Sequence, residues 1–190
     1  MNDNDPRIRR IVGPTIKIFG GSYYDFLDPE SSRYTIEDVA HALSQICRFN
    51  GHTDRFYSVA QHSVLASFHV APGYEYDALM HDAPEFVVGD VTSPLGSLLP
   101  DYKALKKLHE TAVCRRFGVT YPFPEAVHEI DIRMLRTEQE QLMDAANDDW
   151  GITHGVEPIP VRLAPWSPAE AKDRFLDRYH QLRAAAVLAA

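Results

Sequence analysis

The apolar positions change period along this chain, and the change marks its organisation. Thr15-Ile16-Lys17-Ile18-Phe19 and Ser22-Tyr23-Tyr24-Asp25-Phe26 are short β-branched and aromatic runs on either side of Gly20-Gly21, which predicts a β-hairpin. Residues 1–14 ahead of it hold polar groups and Pro6 and read as a loosely held arm, while Leu27 to Tyr34 (LDPESSRY) reads as a loop. From residue 35 the period is helical. Thr35 with Asp38 is an N-cap signature, and Ile36, Val39, Ala40, Leu43, Ile46 and Cys47 carry an apolar stripe to about Phe49, where Asn50-Gly51-His52 breaks it. Ser58 with Gln61 predicts a capping box and a helix through about Val70. Tyr76, Leu79, Met80 and Ala83 form the inner side of a further, central helix that frays near Gly89, and Thr92 to Gly96 reads as a loop.

Pro100 to Phe117 predicts an amphipathic helix with Leu105, Leu108, Ala112 and Val113 inward, Lys103, Lys106 and Lys107 near the outside, and Gly118 closing it. A second long helix runs from Pro124 to about Ala146. The polar stretch 147–166, with Pro158, Pro160 and Pro165, predicts a long surface connection, and Ser167-Pro168-Ala169-Glu170 opens a last helix to about Ala186. The expectation is a mainly α chain: an arm and hairpin over 1–34, then a helical core over 35–190.

Within that frame the stretch Leu79 to Asp90 concentrates chemistry, because His81, Asp82, Glu85 and Asp90 sit among hydrophobic residues. Burying polar groups without partners costs about 2–7 kcal/mol even when they are neutral, so a divalent cation is the economical explanation. His81 and Asp82 stand about 100° apart on a helix and can grip one ion from two sides. Glu85, four residues after His81 and three after Asp82, shares their face and can hold a water. His62 on the preceding helix joins them, and so does Asp131, whose neighbours Ile130 and Ile132 and register with Val127 and Leu135 turn it inward.

Composition narrows the partners. At 190 residues the chain can bury a sizeable core, and no apolar run approaches the ~20 residues of a membrane span. A net charge of −8 argues against a general nucleic-acid surface but leaves room for a small phosphorylated substrate at a local cationic site. The acidic, polar start Met1-Asn2-Asp3-Asn4-Asp5 is unlike a secretory signal, and Cys47 and Cys114 lack metal-type spacing, so a reducing cytoplasm is the expected setting.

The order His62, His81-Asp82, Asp131, or H…HD…D, resembles that of the HD-domain metal-dependent phosphohydrolases. The likeness extends to Arg48, to Ser58-Val59-Ala60-Gln61-His62-Ser63, to the HDAPE run, to Gly89-Asp90, to Ser93-Pro94-Leu95 and to Glu138 two turns beyond Asp131. It covers roughly residues 35 to 146 and is similar to the branch of bacterial 5′-deoxynucleotidases and phage dATP triphosphohydrolases. The resemblance implies an HD-domain helical bundle holding one divalent ion on His62, His81, Asp82 and Asp131. By ligand type, Mn²⁺, Co²⁺, Fe²⁺, Ni²⁺ or Zn²⁺ suits that set. It implies that Glu85 orients or deprotonates the attacking water, that Asp90 assists or contacts the sugar, and that Arg48 neutralises phosphoryl charge. Phe49, His52 and His128 complete the expected substrate contacts.

Relatives commonly carry Trp where Phe49 stands and Lys where Gly96 and His128 stand. Fewer cations favour a (deoxy)nucleoside 5′-monophosphate over a triphosphate, unless Lys103 or Arg55 supplies charge or a homo-oligomer brings Lys103, Lys106 or Lys107 of a neighbouring copy to the pocket. A (d)NTP triphosphohydrolase and a non-catalytic metal- and nucleotide-binding protein are the competing readings.

Overall fold

The hairpin forms as the alternation predicts. In the computed structural model, which describes residues 11–189, β1 (Thr15–Lys17) pairs antiparallel with β2 (Tyr23–Asp25) and sets Ile16 opposite Tyr24. Residues 11–14 are exposed, and residues 1–10 of the expected arm lie outside the described residues. Two contacts dock the hairpin on the helices. Tyr24 is fully buried against Tyr34 and Phe86, with its hydroxyl 2.7 Å from Nδ1 of His109. At the turn, the Gly20 N–H donates to Asp38, whose other carboxylate oxygen accepts from the Thr35 N–H at 2.9 Å. A Cβ on Gly20 would stand 2.8 Å from the Asp38 carboxylate, so a side chain there would displace that carboxylate.

The remainder is mainly helical: α1 (Ile36–Gln45), α2 (Val59–His69), α3 (Glu75–Met80), α4 (Glu85–Val88), α5 (Ser93–Ser97), α6 (Pro100–Phe117), α7 (Glu125–Leu142) and α8 (Pro168–Ala189). None of these is long and apolar enough to cross a membrane. By burial the central helix is α2, because α1, α3, α7 and α8 all pack on it. Gln61, His62, Ser63 and Ser67 are therefore buried, and Ser63 and Ser67 satisfy their hydroxyls by donating to Val59 O (2.9 Å) and Val64 O (2.7 Å). Leu43 of α1, Leu79 and Met80 of α3, and Phe175 of α8 are fully buried around it. Each contributes ~1.5–3 kcal/mol by leaving water.

Several boundaries differ from the sequence expectation. α1 ends at Gln45 rather than about Phe49, because Ile46 to Arg48 turns extended and pairs with Tyr57 to Val59. Arg48 N–H donates to Tyr57 O at 3.0 Å, and Val59 N–H to Ile46 O at 3.1 Å. Residues expected as a loop form α5, with Pro94 in its first turn, where a missing N–H costs nothing. α7 stops at Leu142. α6 has the expected bounds but is rotated: Leu108 is 43% exposed, while His109, a residue with no obvious core role, is fully buried. Its inner face therefore runs through Tyr102, Lys106, His109 and Val113.

The stretch 143–167 is irregular, as expected, yet it is not merely superficial, since Thr153, Ile159 and Leu163 are buried. Three glutamines hold it. Gln61 donates to Ala164 O (2.6 Å) and accepts from Trp166 N–H (3.1 Å). Gln141 treats Val161 O and Leu163 N–H in the same way, at 2.8 and 3.0 Å. Gln139 donates to Ala145 O (3.0 Å) and Asp148 O (2.7 Å) and accepts from the Thr153 hydroxyl (2.7 Å). A carboxamide can pair with both a backbone donor and a backbone acceptor, which lets a strap without secondary structure be buried. The Ser58–Gln61 capping box is accordingly half made: Ser58 Oγ accepts from Gln61 N–H at 3.2 Å, but the Gln61 side chain serves the strap.

Candidate metal centre

Two imidazoles on different elements are turned to the same point. His62, in the first turn of α2 and fully buried, places Nδ1 2.6 Å from Glu138 Oε1 on α7. His81, just past α3, places Nδ1 2.8 Å from Ala78 O. A carbonyl and an ionised carboxylate can only accept, so both Nδ1 atoms carry a proton, and in their neutral forms both imidazoles present the Nε2 lone pair. The two Nε2 atoms are 3.4 Å apart. Asp131 Oδ1 lies 3.2 Å from Nε2 of His62 and 3.7 Å from that of His81, and Asp82 Oδ2 lies 3.6 and 3.3 Å from the same two atoms.

These spacings fit a metal. Ligands held ~2.0–2.2 Å from one tetrahedral ion stand ~3.3–3.6 Å from each other. The ligand atoms of His62, His81 and Asp131 all lie within 4.8 Å, and this group could hold a metal ion. Asp82 Oδ2 is buried with no hydrogen-bond partner, as expected of an atom whose partner is an ion.

Local backbone geometry explains the convergence. Past α3 the chain winds with i to i+3 bonds, Ala83 N–H to Met80 O (3.0 Å), Glu85 N–H to Asp82 O (3.0 Å) and Phe86 N–H to Ala83 O (3.2 Å), and Pro84 supplies no N–H for a regular continuation. In such a tight turn residues three apart eclipse, which brings Glu85 over Asp82. Gly89 then adopts φ +76°, where a side chain would be strained, and its carbonyl accepts from the Tyr102 hydroxyl at 3.2 Å, fixing the turn that delivers Asp90.

Charge reinforces the geometry. Among the described residues, Asp82, Glu85, Asp90, Asp131 and Glu138 gather around Arg48, Lys106 and the two imidazoles, five carboxylates against two permanently charged side chains. Burial and the Arg48 charge push the His62 imidazolium down, but Glu138 and Asp131 outweigh them and lift it to about 10. His81 is also raised, because Asp82 and Asp131 overcome its burial. Asp131, bonded to both imidazoles, is held well below the usual carboxylate range despite desolvation. Without a metal the site collects protons, and a bound cation would replace them. Glu85 goes the other way: burial, then the nearby Asp82, raise it well above its ordinary value while Lys106 opposes them. Asp90 is raised by burial against the pull of Arg48.

Beside the cluster opens a cavity of about 890 Å³. Arg48, Asp82, Glu85, Asp90, Lys106 and Asp131 line its charged side, and Phe49, Ile132, Leu135, Met143, Trp150 and Ile152 its apolar side. Of the residues singled out in the sequence, Arg48, Phe49, His52, Asp82, Glu85, Asp90 and Asp131 line it; His62 and His81 lie behind them. Asp131 is 42% exposed rather than turned fully inward, so the cluster opens to the cavity on its side. His128 is exposed and does not line the cavity; its ring packs on Phe123, whose edge meets His81.

The structure adds three residues. Glu138, fully buried, accepts from the His62 imidazole and from Arg48 Nη2 at 2.9 Å, holding these two side chains together. Its place two turns beyond Asp131 was the only sequence signal. Lys106, expected outside, enters the cavity and donates from Nζ to Glu85 Oε1 at 3.0 Å. It shares the period of His109 and Val113, so reading α6 from that pair would have turned it inward. Trp150 comes from the strap and had no local signal.

No family model matches this chain. It is 36% identical over 170 residues to "Uncharacterized protein YfdR" of Escherichia coli (strain K12), a match spanning 88% of this chain and 94% of that protein. It is 33% identical over 186 residues to "Uncharacterized protein RCAP_rcc00048" of Rhodobacter capsulatus, spanning 87% and 94%.

Proposed function

The chain belongs to the family of the Escherichia coli protein YfdR, and on that premise we propose, from the site this fold builds, that it is a divalent-metal-dependent phosphohydrolase acting on a nucleotide. The preferred substrate is a (deoxy)nucleoside 5′-monophosphate. One observation carries the proposal: His62, His81 and Asp131, a group that could hold a metal ion, with Asp82 Oδ2 3.6 and 3.3 Å from the two imidazoles, adjoin a cavity lined by two cations and by Glu85, whose Oε2 is buried without a hydrogen-bond partner. The order of the ligands is similar to that of HD-domain phosphohydrolases, and that resemblance supplies the reaction class.

His62, His81, Asp82 and Asp131 would hold Mn²⁺, Co²⁺, Fe²⁺, Ni²⁺ or Zn²⁺, which when bound supplies Lewis acidity at a phosphoryl oxygen and a water of lowered pKa. Glu85 takes the proton of the attacking water at Oε2, a role suited to a carboxylate whose burial has already raised its proton affinity. Lys106 holds the opposite oxygen of Glu85 and so fixes the direction of the free one. Arg48, tied to Glu138 and 3.8 Å from both Asp82 and Asp90, offers its guanidinium to the charge that grows on the phosphoryl oxygens. Asp90 contacts the sugar side of the substrate.

Hydrolysis of a triphosphate is a second reading, favoured by one fact: Lys106 of this same chain, expected near the outside, lines the cavity as a second cation. Comparing kcat/KM for dAMP and dATP on protein loaded with each metal separates the readings. Faster hydrolysis of dATP selects the second, and no turnover of either with any of the five metals overturns both.

A further inference from the structure

Phosphate hydrolysis uses one side of the cavity, and the other side is built with equal care. Beyond Asp131, α7 contributes Ile132 and Leu135, and the strap after it contributes Met143, Trp150 and Ile152, facing Phe49. None of these can help a phosphoryl group, which gains nothing from apolar walls. Trp150 belongs to an irregular segment, yet its position is fixed on both flanks by one buried side chain. Gln139 binds Asp148 O before it and the Thr153 hydroxyl after it, each at 2.7 Å. Phe49 is set with comparable specificity: it has φ +54° and is followed by Asn50 at φ +51°, left-handed conformations that side-chain-bearing residues rarely adopt. The two rings meet with centroids 6.0 Å apart at 59°, too close to admit a third ring between them. What they offer is a tilted pair of half-buried rings at the cavity wall.

We propose that Trp150, braced by Phe49, is the platform on which the aromatic base of the substrate stacks. The site then selects nucleoside phosphates over phosphate esters of simple sugars. This rests on the phosphohydrolase reading above. Stacking accepts any base, since each has a π-face, so Trp150 is a specificity-determining residue for the presence of a base more than for its identity.

Two measurements on the metal-loaded full chain test it. The chain has two tryptophans, and the other, Trp166, lies under the Arg174 guanidinium at 4.3 Å. A Trp166→Phe protein therefore reports Trp150 emission alone. Titration with a non-hydrolysable phosphonate analogue of dAMP should change that emission saturably, whereas inorganic phosphate should not; no change with the analogue overturns the platform. In kinetics, Trp150→Ala should lower kcat/KM for dAMP ~10- to 100-fold, chiefly through KM, and leave that for 2-deoxyribose 5-phosphate unaltered. Trp150→Phe should restore most of the loss. Equal losses on both substrates, or none on dAMP, overturn the platform while continued hydrolysis leaves the phosphohydrolase reading standing. If no ester is hydrolysed at all, that reading fails, and the emission titration still decides whether a base stacks on Trp150.

Discussion

Replacing Glu138 by Gln keeps its volume and removes one negative charge from a fully buried position. The carboxylate accepts at Oε1 from His62 Nδ1 (2.6 Å) and at Oε2 from Arg48 Nη2 (2.9 Å) and Nε (3.3 Å). A carboxamide has a single acceptor oxygen, so its NH₂ must face either the imidazole N–H or the guanidinium, and both are donors. At least one charge-assisted hydrogen bond is lost, at ~1.5–3 kcal/mol, and a donor is left facing a donor. Arg48 is not stranded, because Asp82 and Asp90 remain at 3.8 Å, which keeps the cost below that of a fully broken buried pair. The expected destabilisation of the metal-free protein is ~2–4 kcal/mol. His62 also loses the partner that fixes its tautomer, so metal affinity should fall ~10- to 100-fold. Urea unfolding of chelator-treated protein measures the first effect, and competition with a chromophoric chelator the second. Glu140→Gln is the control: Glu140 pairs with Arg136 at 2.7 Å on the same helix, is partly exposed, and should cost at most ~0.5 kcal/mol. A Glu138→Gln protein indistinguishable from this control in both assays would falsify the role given to Glu138.

The remaining predictions concern the ligands, the base and pH. Asp82→Ala should abolish stoichiometric metal retention by elemental analysis, because it removes a buried oxygen that lies beside both imidazoles and has no hydrogen-bond partner; undiminished content would remove Asp82 from the ligand set. Glu85→Gln should keep metal and fold but lower kcat by ~10² to 10⁴, since the amide cannot take a proton, and wild-type turnover would exclude Glu85 as the base. For pH, His62 is raised from its ordinary value to about 10 in the folded metal-free chain, so its stabilising contribution is complete below ~6.5 and is lost as pH rises through about 10. Metal binding needs the neutral imidazole and should strengthen over that same window. Urea midpoints of the chelator-treated protein should therefore fall between pH 6.5 and 10 while metal affinity climbs, and a midpoint that rises with pH contradicts the assignment.

Much of the fold was written in local signals, and these needed no tertiary information. The Gly20-Gly21 turn, the Ser58 and Ser167 caps, and Pro100 with Gly118 fixed the hairpin, the starts of α2 and α8 and both ends of α6, because each acts on backbone groups within a few residues. The chemical inventory was legible for a similar reason: histidines and carboxylates embedded in apolar helices require a partner wherever the helices go. What escaped was everything decided by groups distant along the chain. α1 stops early because Cys47 bridges to Ser58; Lys106 turns inward because α6 packs through His109 against Tyr24 from the hairpin; His62 is oriented by Glu138, 76 residues away. The strap at 143–167, polar and proline-rich, looked like a surface connection because its composition is that of one. It becomes the apolar wall of the cavity only when glutamines on α2 and α7 satisfy its backbone, so that Trp150 reaches Phe49 across a hundred residues of chain. Local patterns set the dihedral preferences and caps of each element. Which face of an element is buried, and what it meets there, is settled by pairings between segments that no stretch of sequence contains by itself.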